Sequence, residues 1–234
     1  LRRAALAAAA TLALATAGCG SGASGSAAGQ LKVSAAASLK QAFTAYEPDA
    51  RYSFAGSDQL AAQIRAGVKP DVYAAANTEL PDRLHSDGLV ERPVVFARNR
   101  LVLVASTTRI RSLADAARPG VRIAIGSPTV PAGAYARKVL AKAPEGRRVL
   151  TNVRSEEPDV TGVVGKVEQR AVDAGFVYAT DARAAKLRPI ALPDADVRYA
   201  AAVVKPSRAA HAFVRGLLSP RGRAALLRAG FRRP

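Results

Sequence analysis

The sequence predicts an α/β fold built as two lobes, and two observations carry that reading. From Gln30 onward, short β-rich runs alternate with helical stretches, the pattern of sheets covered by helices. Two β-like runs, Leu101–Ser106 (LVLVAS) and Val197–Val204 (VRYAAAVV), stand out in length and bracket a second α/β set. A chain that leaves through one strand and returns through another makes two lobes with a cleft between them. The stretch after Gln30 is long enough to bury one or two good cores.

Taken in order, Leu31–Ala35 reads as a strand and Ser38–Tyr46 as a helix. Ala50–Phe54 is a second strand, followed by a helix over 58–66. Asp71–Ala75 is a third strand, and Glu79–His85 a third helix. After LVLVAS come strand Val121–Ile125, helix Ala134–Ala141, helix Val160–Gln169 and strand Ala174–Tyr178. VRYAAAVV leads into two closing helices, Ser207–Leu217 and Pro220–Arg228. Ser219-Pro220 starts the last one with an N-cap hydroxyl and a proline whose missing N–H costs nothing there.

The first residues read as an address. Arg2 and Arg3 precede an apolar run from Ala4 to Ala17 that ends in Ala17-Gly18-Cys19, the layout of a secretory signal. The run is shorter than the roughly 20 apolar residues a membrane-spanning helix needs. Residues 1–18 are therefore assigned to a signal peptide. Cys19 is the only cysteine, so no internal disulfide can form. Its position resembles a bacterial lipobox, in which the sulfur is acylated after cleavage. Thr16 departs from that pattern, where Leu or Val is usual. GSGASGSAAG (20–29) has nothing to bury, so 19–30 reads as a lipidated cysteine on a flexible tether.

The formal charge of +17 falls to +15 without Arg2 and Arg3. Its basic residues are scattered, with no run longer than two and no interleaved aromatic platform. That pattern fits a solvated surface rather than nucleic-acid binding, and its field would still steer a small anion.

Four places share one feature, small or hydroxylic residues at a strand-to-helix turn: AAASL (35–39), AGSD (55–58), PAG (131–133) and PDV (158–160). Helix N-termini carry free N–H donors and about half a positive charge. Several converging on one cleft would solvate an anion without any cation.

These segments also carry a family resemblance. AAASL, FAGSDQLAAQI (54–64), PDVYAAAN (70–77), VPAGAYA (130–136), EPDV (157–160) and DAGFVYATDA (173–182) resemble, in this order, the molybdate-binding protein family. The resemblance implies a type II periplasmic-binding-protein fold, two α/β lobes joined by a two-strand hinge. Lobe I would comprise 31–100 and 203–234, and lobe II 101–202. It further implies an extracytoplasmic lipoprotein, a monomer without a cofactor, that hands molybdate or tungstate to the permease of an ABC importer. Ser38 and Ser57 would supply hydroxyl and backbone donors, Ala132 and Val160 backbone N–H groups, and Tyr178 its phenol. Molybdenum would thus be held only through the oxygens of the oxyanion. Asp58 stands beside a binding serine where relatives carry Ser, Gly or Thr, and is expected to point outward. NVRSEEPDV (152–160) looks like an insertion, and Arg154 within it reads as a surface arginine.

Two rival readings remain. A secreted enzyme is disfavoured because His85 and His211 have no catalytic or metal-ligand spacing, and no GxSxG, HExxH or P-loop occurs. Glu156-Glu157 are adjacent on a loop by this reading, so they do not flank a bond. The other rival keeps the fold and changes the ligand to sulfate, phosphate, a metal cation or an organic acid. No Cys/His/carboxylate cluster favours a metal. Sulfate has the same shape and charge as molybdate at a smaller radius, and fold analogy does not choose between them.

Overall fold

The computed structural model describes residues 30–234, so the signal, the tether and Cys19 lie outside the described residues. The chain runs through β1 (Lys32–Ala36), a 3-10 turn (Ala37–Leu39), α1 (Lys40–Tyr46), β2 (Arg51–Ala55), α2 (Ser57–Arg65), β3 (Val72–Ala75) and α3 (Glu79–Ser86). A long strand, β4 (Val94–Ala105), then leads to α4 (Leu113–Ala116), β5 (Ile123–Gly126), α5 (Pro131–Lys142), α6 (Gly146–Thr151) and β6 (Val153–Glu157). The rest is α7 (Val160–Glu168), β7 (Ala174–Tyr178), α8 (Ala179–Ala184), the long β8 (Pro189–Val203), α9 (Arg208–Gly216) and α10 (Pro220–Arg228).

The strands form one curled sheet in the order β2-β1-β3-β8-β4-β7-β5-β6. Its ends are parallel, β1 with β2 and β3, and β5 with β6 and β7. The antiparallel pair β4 and β8 lies at the centre and joins them. Near Val94–Ala97, β4 meets the end of β8 beside β3, whereas from Leu101 onward it pairs with β7. Both β4 and β8 therefore belong to both halves.

Both central strands exceed the expected runs, starting at Val94 rather than Leu101 and at Pro189 rather than Val197. Arg98, Asn99 and Arg100 interrupt the apolar pattern of β4, and Pro193 and Asp194 that of β8. Pairing overrides those local preferences. Its cost shows as a register shift between Arg100 and Val102, opposite a β8 excursion where Asp194 takes φ 48°. Within NVRSEEPDV, 153–157 pair with β5 as an edge strand whose residues alternate between half-buried and exposed. Glu156 and Glu157 accordingly sit on β6. Three short helices, α4, α6 and α8, also went unforeseen, each too brief to show a period.

The main core is continuous through both halves. Phe43 anchors it beside Phe96 and Phe213, with ring centroids 5.8 and 5.4 Å away. Tyr199 of β8 packs edge-on against Phe231 and Tyr178 at 5.2 and 5.7 Å. Side-chain caps fix the helix starts: Ser207 and Ser219 accept the N–H groups of Ala210 and Gly222.

Candidate functional site

The carboxyl ends of β1, β2, β5 and β6 each open into a turn, and all four turns face one cleft. In open α/β sheets this is where ligands bind. The cleft holds a small space lined by Ala36–Ser38, Ala55–Ser57, Val130–Ala132, Asp159 and Val160, with Ala76 and Tyr178. It suits a small ligand rather than a drug-sized molecule. Ser38, Ser57, Ala132, Val160 and Tyr178 all line this one cavity.

Local chemistry explains each turn. α2 begins at Ser57 after Gly56, so its first N–H groups have no intrahelical partner. α5 begins with Pro131 at its first position, which leaves the N–H of Ala132 at the helix mouth. Gly133 is required just behind it, because a Cβ there would lie 2.1 Å from the Gly126 carbonyl oxygen. α7 is capped by Asp159, whose carboxylate accepts the N–H groups of Thr161 and Gly162 at 2.7 and 3.1 Å. That cap consumes the negative charge of Asp159 locally and leaves the Val160 N–H toward the cavity.

The hydroxyls are committed in a telling way. Ser57 Oγ accepts the N–H of Ala76 at 3.1 Å, so its proton is free for a ligand. Tyr73 donates to the Ser57 carbonyl at 2.7 Å and holds that turn from below. Ser38 Oγ lies 2.9 Å from the phenol of Tyr199. Tyr178 is 2 % exposed, and its phenolic oxygen is buried without a hydrogen-bond partner. Burial pushes that phenol well above its ordinary range, so it stays protonated and can donate. No cationic side chain lines the cavity.

Asp58 does not point outward to solvent. Side chains in a first helical turn lean toward the N-terminus, and here that aims Asp58 across the cleft. Its Oδ2 accepts from Thr129 Oγ1 at 2.7 Å, and its Oδ1 is buried without a partner. It is not among the residues that line the cavity, so it spans the mouth rather than facing the ligand space. Gly56 marks a second close approach, since a Cβ on it would meet the Pro158 carbonyl oxygen from the other half at 2.5 Å. Arg154 is exposed and bonds the carbonyls of Thr151 and Val153, away from the cleft. His85 bonds to the Val90 carbonyl at 3.0 Å and His211 pairs with Glu91 at 2.9 Å, both remote from the cavity.

Sequence reasoning missed the layer behind these residues: Asn99, Thr180, Asp181 and Tyr199. Only a polar residue inside an apolar strand hints at them. Asp181 accepts the Tyr178 N–H at 3.2 Å. Burial pushes its carboxyl up to about 7 and Asp159 adds to the rise, while the Tyr178 N–H works against it.

A two-ended α/β sheet with paired crossing strands and an interlobe cavity lined by hydroxyls and helix mouths defines a solute-binding protein. The chain belongs to the family of bacterial extracellular solute-binding proteins, whose profile matches residues 26–232. It is 36% identical over 229 residues to "Molybdate-binding protein ModA" of Mycobacterium tuberculosis, covering 88% of this chain and 86% of that one. Among solved structures it is similar to the substrate-binding domain of a molybdenum ABC transporter from Clostridium difficile, a protein described as putative in that role, at TM-score 0.66 and 26% identity, covering 88% and 99%. It shares its fold with the sulfate-binding protein SubI of Mycobacterium tuberculosis, at TM-score 0.73 and 18% identity over 87% and 86% of the two chains. Solute-binding proteins are a non-catalytic kind. Among the described residues no helix is long and apolar enough to cross a membrane, and no group of three His, Cys, Asp or Glu could hold a metal ion.

Proposed function

We propose that this protein captures molybdate or tungstate outside the cytoplasm and delivers it to the permease of an ABC importer. The ModA relatives suggest the ligand, and one observation carries the chemistry. Apart from Asp159, whose carboxylate is engaged in the α7 cap, the polar side chains lining the cavity are neutral hydroxyls, with Ser57 turned into a donor by the Ala76 N–H. A fully deprotonated tetrahedral oxyanion presents only acceptors and matches such a lining. Hydrogenphosphate carries a proton that needs an acceptor, and it would leave a buried pair of donors facing each other.

In this reading Ser38, Ser57 and Tyr178 donate through hydroxyls, and Ala132 and Val160 through N–H groups at helix mouths. Lobe I (31–100 and 203–234) and lobe II (101–202) close on the anion by bending at β4 and β8. The protein works as a monomer held to the membrane by acylated Cys19 and its tether. Calorimetric titration with molybdate, tungstate, sulfate and phosphate tests the ligand. Saturable binding of the first two, with phosphate silent, is expected; preference for sulfate would shift the assignment to that smaller anion. Cys19→Ser should release the protein from the membrane fraction or stall its processing. Unchanged fractionation of a correctly cleaved variant would refute the anchor.

A further inference from the structure

A buried polar chain runs behind Ser38 into the two central strands. Asn99 on β4 is 1 % exposed, and its Oδ1 accepts the N–H of Arg100 at 2.8 Å. A backbone N–H can only donate, so this bond fixes which way the Asn99 amide faces. The Asn99 NH₂ group must then point to the other side, where it donates to Thr180 Oγ1 at 2.9 Å and reaches Tyr199 Oη at 3.4 Å. Tyr199 is wholly buried, and its phenol has two partners among the described residues, Asn99 and Ser38. Asn99 offers it a donor. Of these two partners only Ser38 Oγ, 2.9 Å away, can accept the Tyr199 proton. With that lone pair engaged, the Ser38 proton is turned toward the cavity.

We propose that Tyr199, oriented by Asn99, is a positioning residue that turns the Ser38 proton toward the cavity and thereby favours an unprotonated oxyanion. The inference rests on the oxyanion reading above. It gives Ser38 the arrangement that Ser57 obtains directly from the Ala76 N–H: each hydroxyl oxygen has one lone pair engaged by a donor traced to a main-chain N–H. The difference is length, since Ser57 is one bond from its N–H and Ser38 is three. The longer chain also crosses β8 and β4, so Ser38 of one half is tied to the strands that join the halves.

Tyr199→Phe removes the hydroxyl that donates to Ser38 and leaves the ring. Titrations of wild type, Tyr199→Phe, Ser38→Ala and the double variant with molybdate and with phosphate provide the test. Tyr199→Phe should weaken molybdate binding about 3- to 30-fold, by loss of one oriented bond. The double variant should bind no more weakly than Ser38→Ala alone, because the tyrosine acts through the serine. The ratio of phosphate to molybdate affinity should rise in Tyr199→Phe, since a free Ser38 oxygen can accept from hydrogenphosphate. Unchanged molybdate affinity, additive losses in the double variant, or an unchanged ratio would overturn the proposal. If Tyr199→Phe does not fold, Asn99→Asp serves instead. Its carboxylate would accept the Tyr199 proton and reverse the chain, so its molybdate loss should be larger with Ser38 present than with Ser38→Ala. Equal losses would refute the idea. A wild-type protein that binds none of molybdate, tungstate or sulfate would defeat the oxyanion reading itself, an outcome distinct from all of these.

Discussion

In the proposed site the two walls of the cleft do the same work by different means. On the wall built from β1 and β2, side-chain hydroxyls face the cavity, and each has its oxygen held by another group. On the wall built from β5, β6 and the end of β7, the proposed donors are main-chain N–H groups of Ala132 and Val160, with Tyr178 contributing the one phenol. A main-chain donor survives almost any substitution at its own position, whereas a hydroxyl is deleted by a single change. The first wall is therefore where mutation can dissect binding. The second wall can be perturbed mainly through shape.

The largest effect expected on that contrast comes from Ser57→Asp. Replacing a donor with an anion at contact distance should weaken molybdate binding by at least about a thousandfold, the scale of one like-charge contact in a partly dry cleft. Ser38→Ala, Ser57→Ala and Tyr178→Phe should each cost about 10- to 150-fold, one charged hydrogen bond of roughly 1.5–3 kcal/mol, because main-chain donors remain. Calorimetry on the four variants ranks them. Wild-type affinity in a Ser38→Ala/Ser57→Ala double variant would erase the proposed first wall.

Gly56 tests shape in place of donors. A methyl there would sit 2.5 Å from the Pro158 carbonyl oxygen of the facing half and 2.8 Å from the movable Asp58 carboxylate of its own half, so the clash with rigid backbone exists only when the halves are close. Gly56→Ala should lose about five- to 150-fold in affinity, the cost of overpacking by one methyl. Its melting temperature without ligand should barely change. Small-angle scattering should show compaction on molybdate for wild type and less for the variant. Equal compaction with equal affinity would mean that Gly56 is not a closure contact.

How far the sequence discloses this site follows from where the information is stored. The four turns were legible because each is local: small residues after a β-rich run, then a helix start, within five positions. So were the closing helices, since Ser207 and Ser219 act within three residues of themselves. What could not be read was pairing at a distance. Asn99 and Tyr199 lie a hundred positions apart and meet only because β4 and β8 are neighbours. The edge strand β6 has no apolar run of its own and is extended only because β5 holds it. Asp58 misled for the same reason. Its first-turn position was plain, but nothing near it in sequence announces Thr129 across the cleft.

The smallest effect concerns Asp181 on the second wall, and it is a matter of pH. Its carboxyl is raised from the ordinary 3.8 to about 7 by burial, with Asp159 contributing. Between those values the folded protein holds a proton that the unfolded chain has released. The contribution of Asp181 to stability is then fully present below about pH 4 and is lost as pH rises through 7. The melting temperature of wild type should therefore fall more steeply from pH 5 to pH 8 than that of Asp181→Asn, which stays neutral throughout. Binding should follow the same sign. Asp181 accepts the Tyr178 N–H, so its ionisation puts a negative charge close behind a donor aimed at the anion. Molybdate affinity should drop a few-fold between pH 6 and pH 8 in wild type, screened as it is by the intervening wall. Asp181→Asn should be flat over that range. Parallel pH profiles for the two proteins would show that the carboxyl is already ionised at pH 5 and that the second wall carries no titrating group.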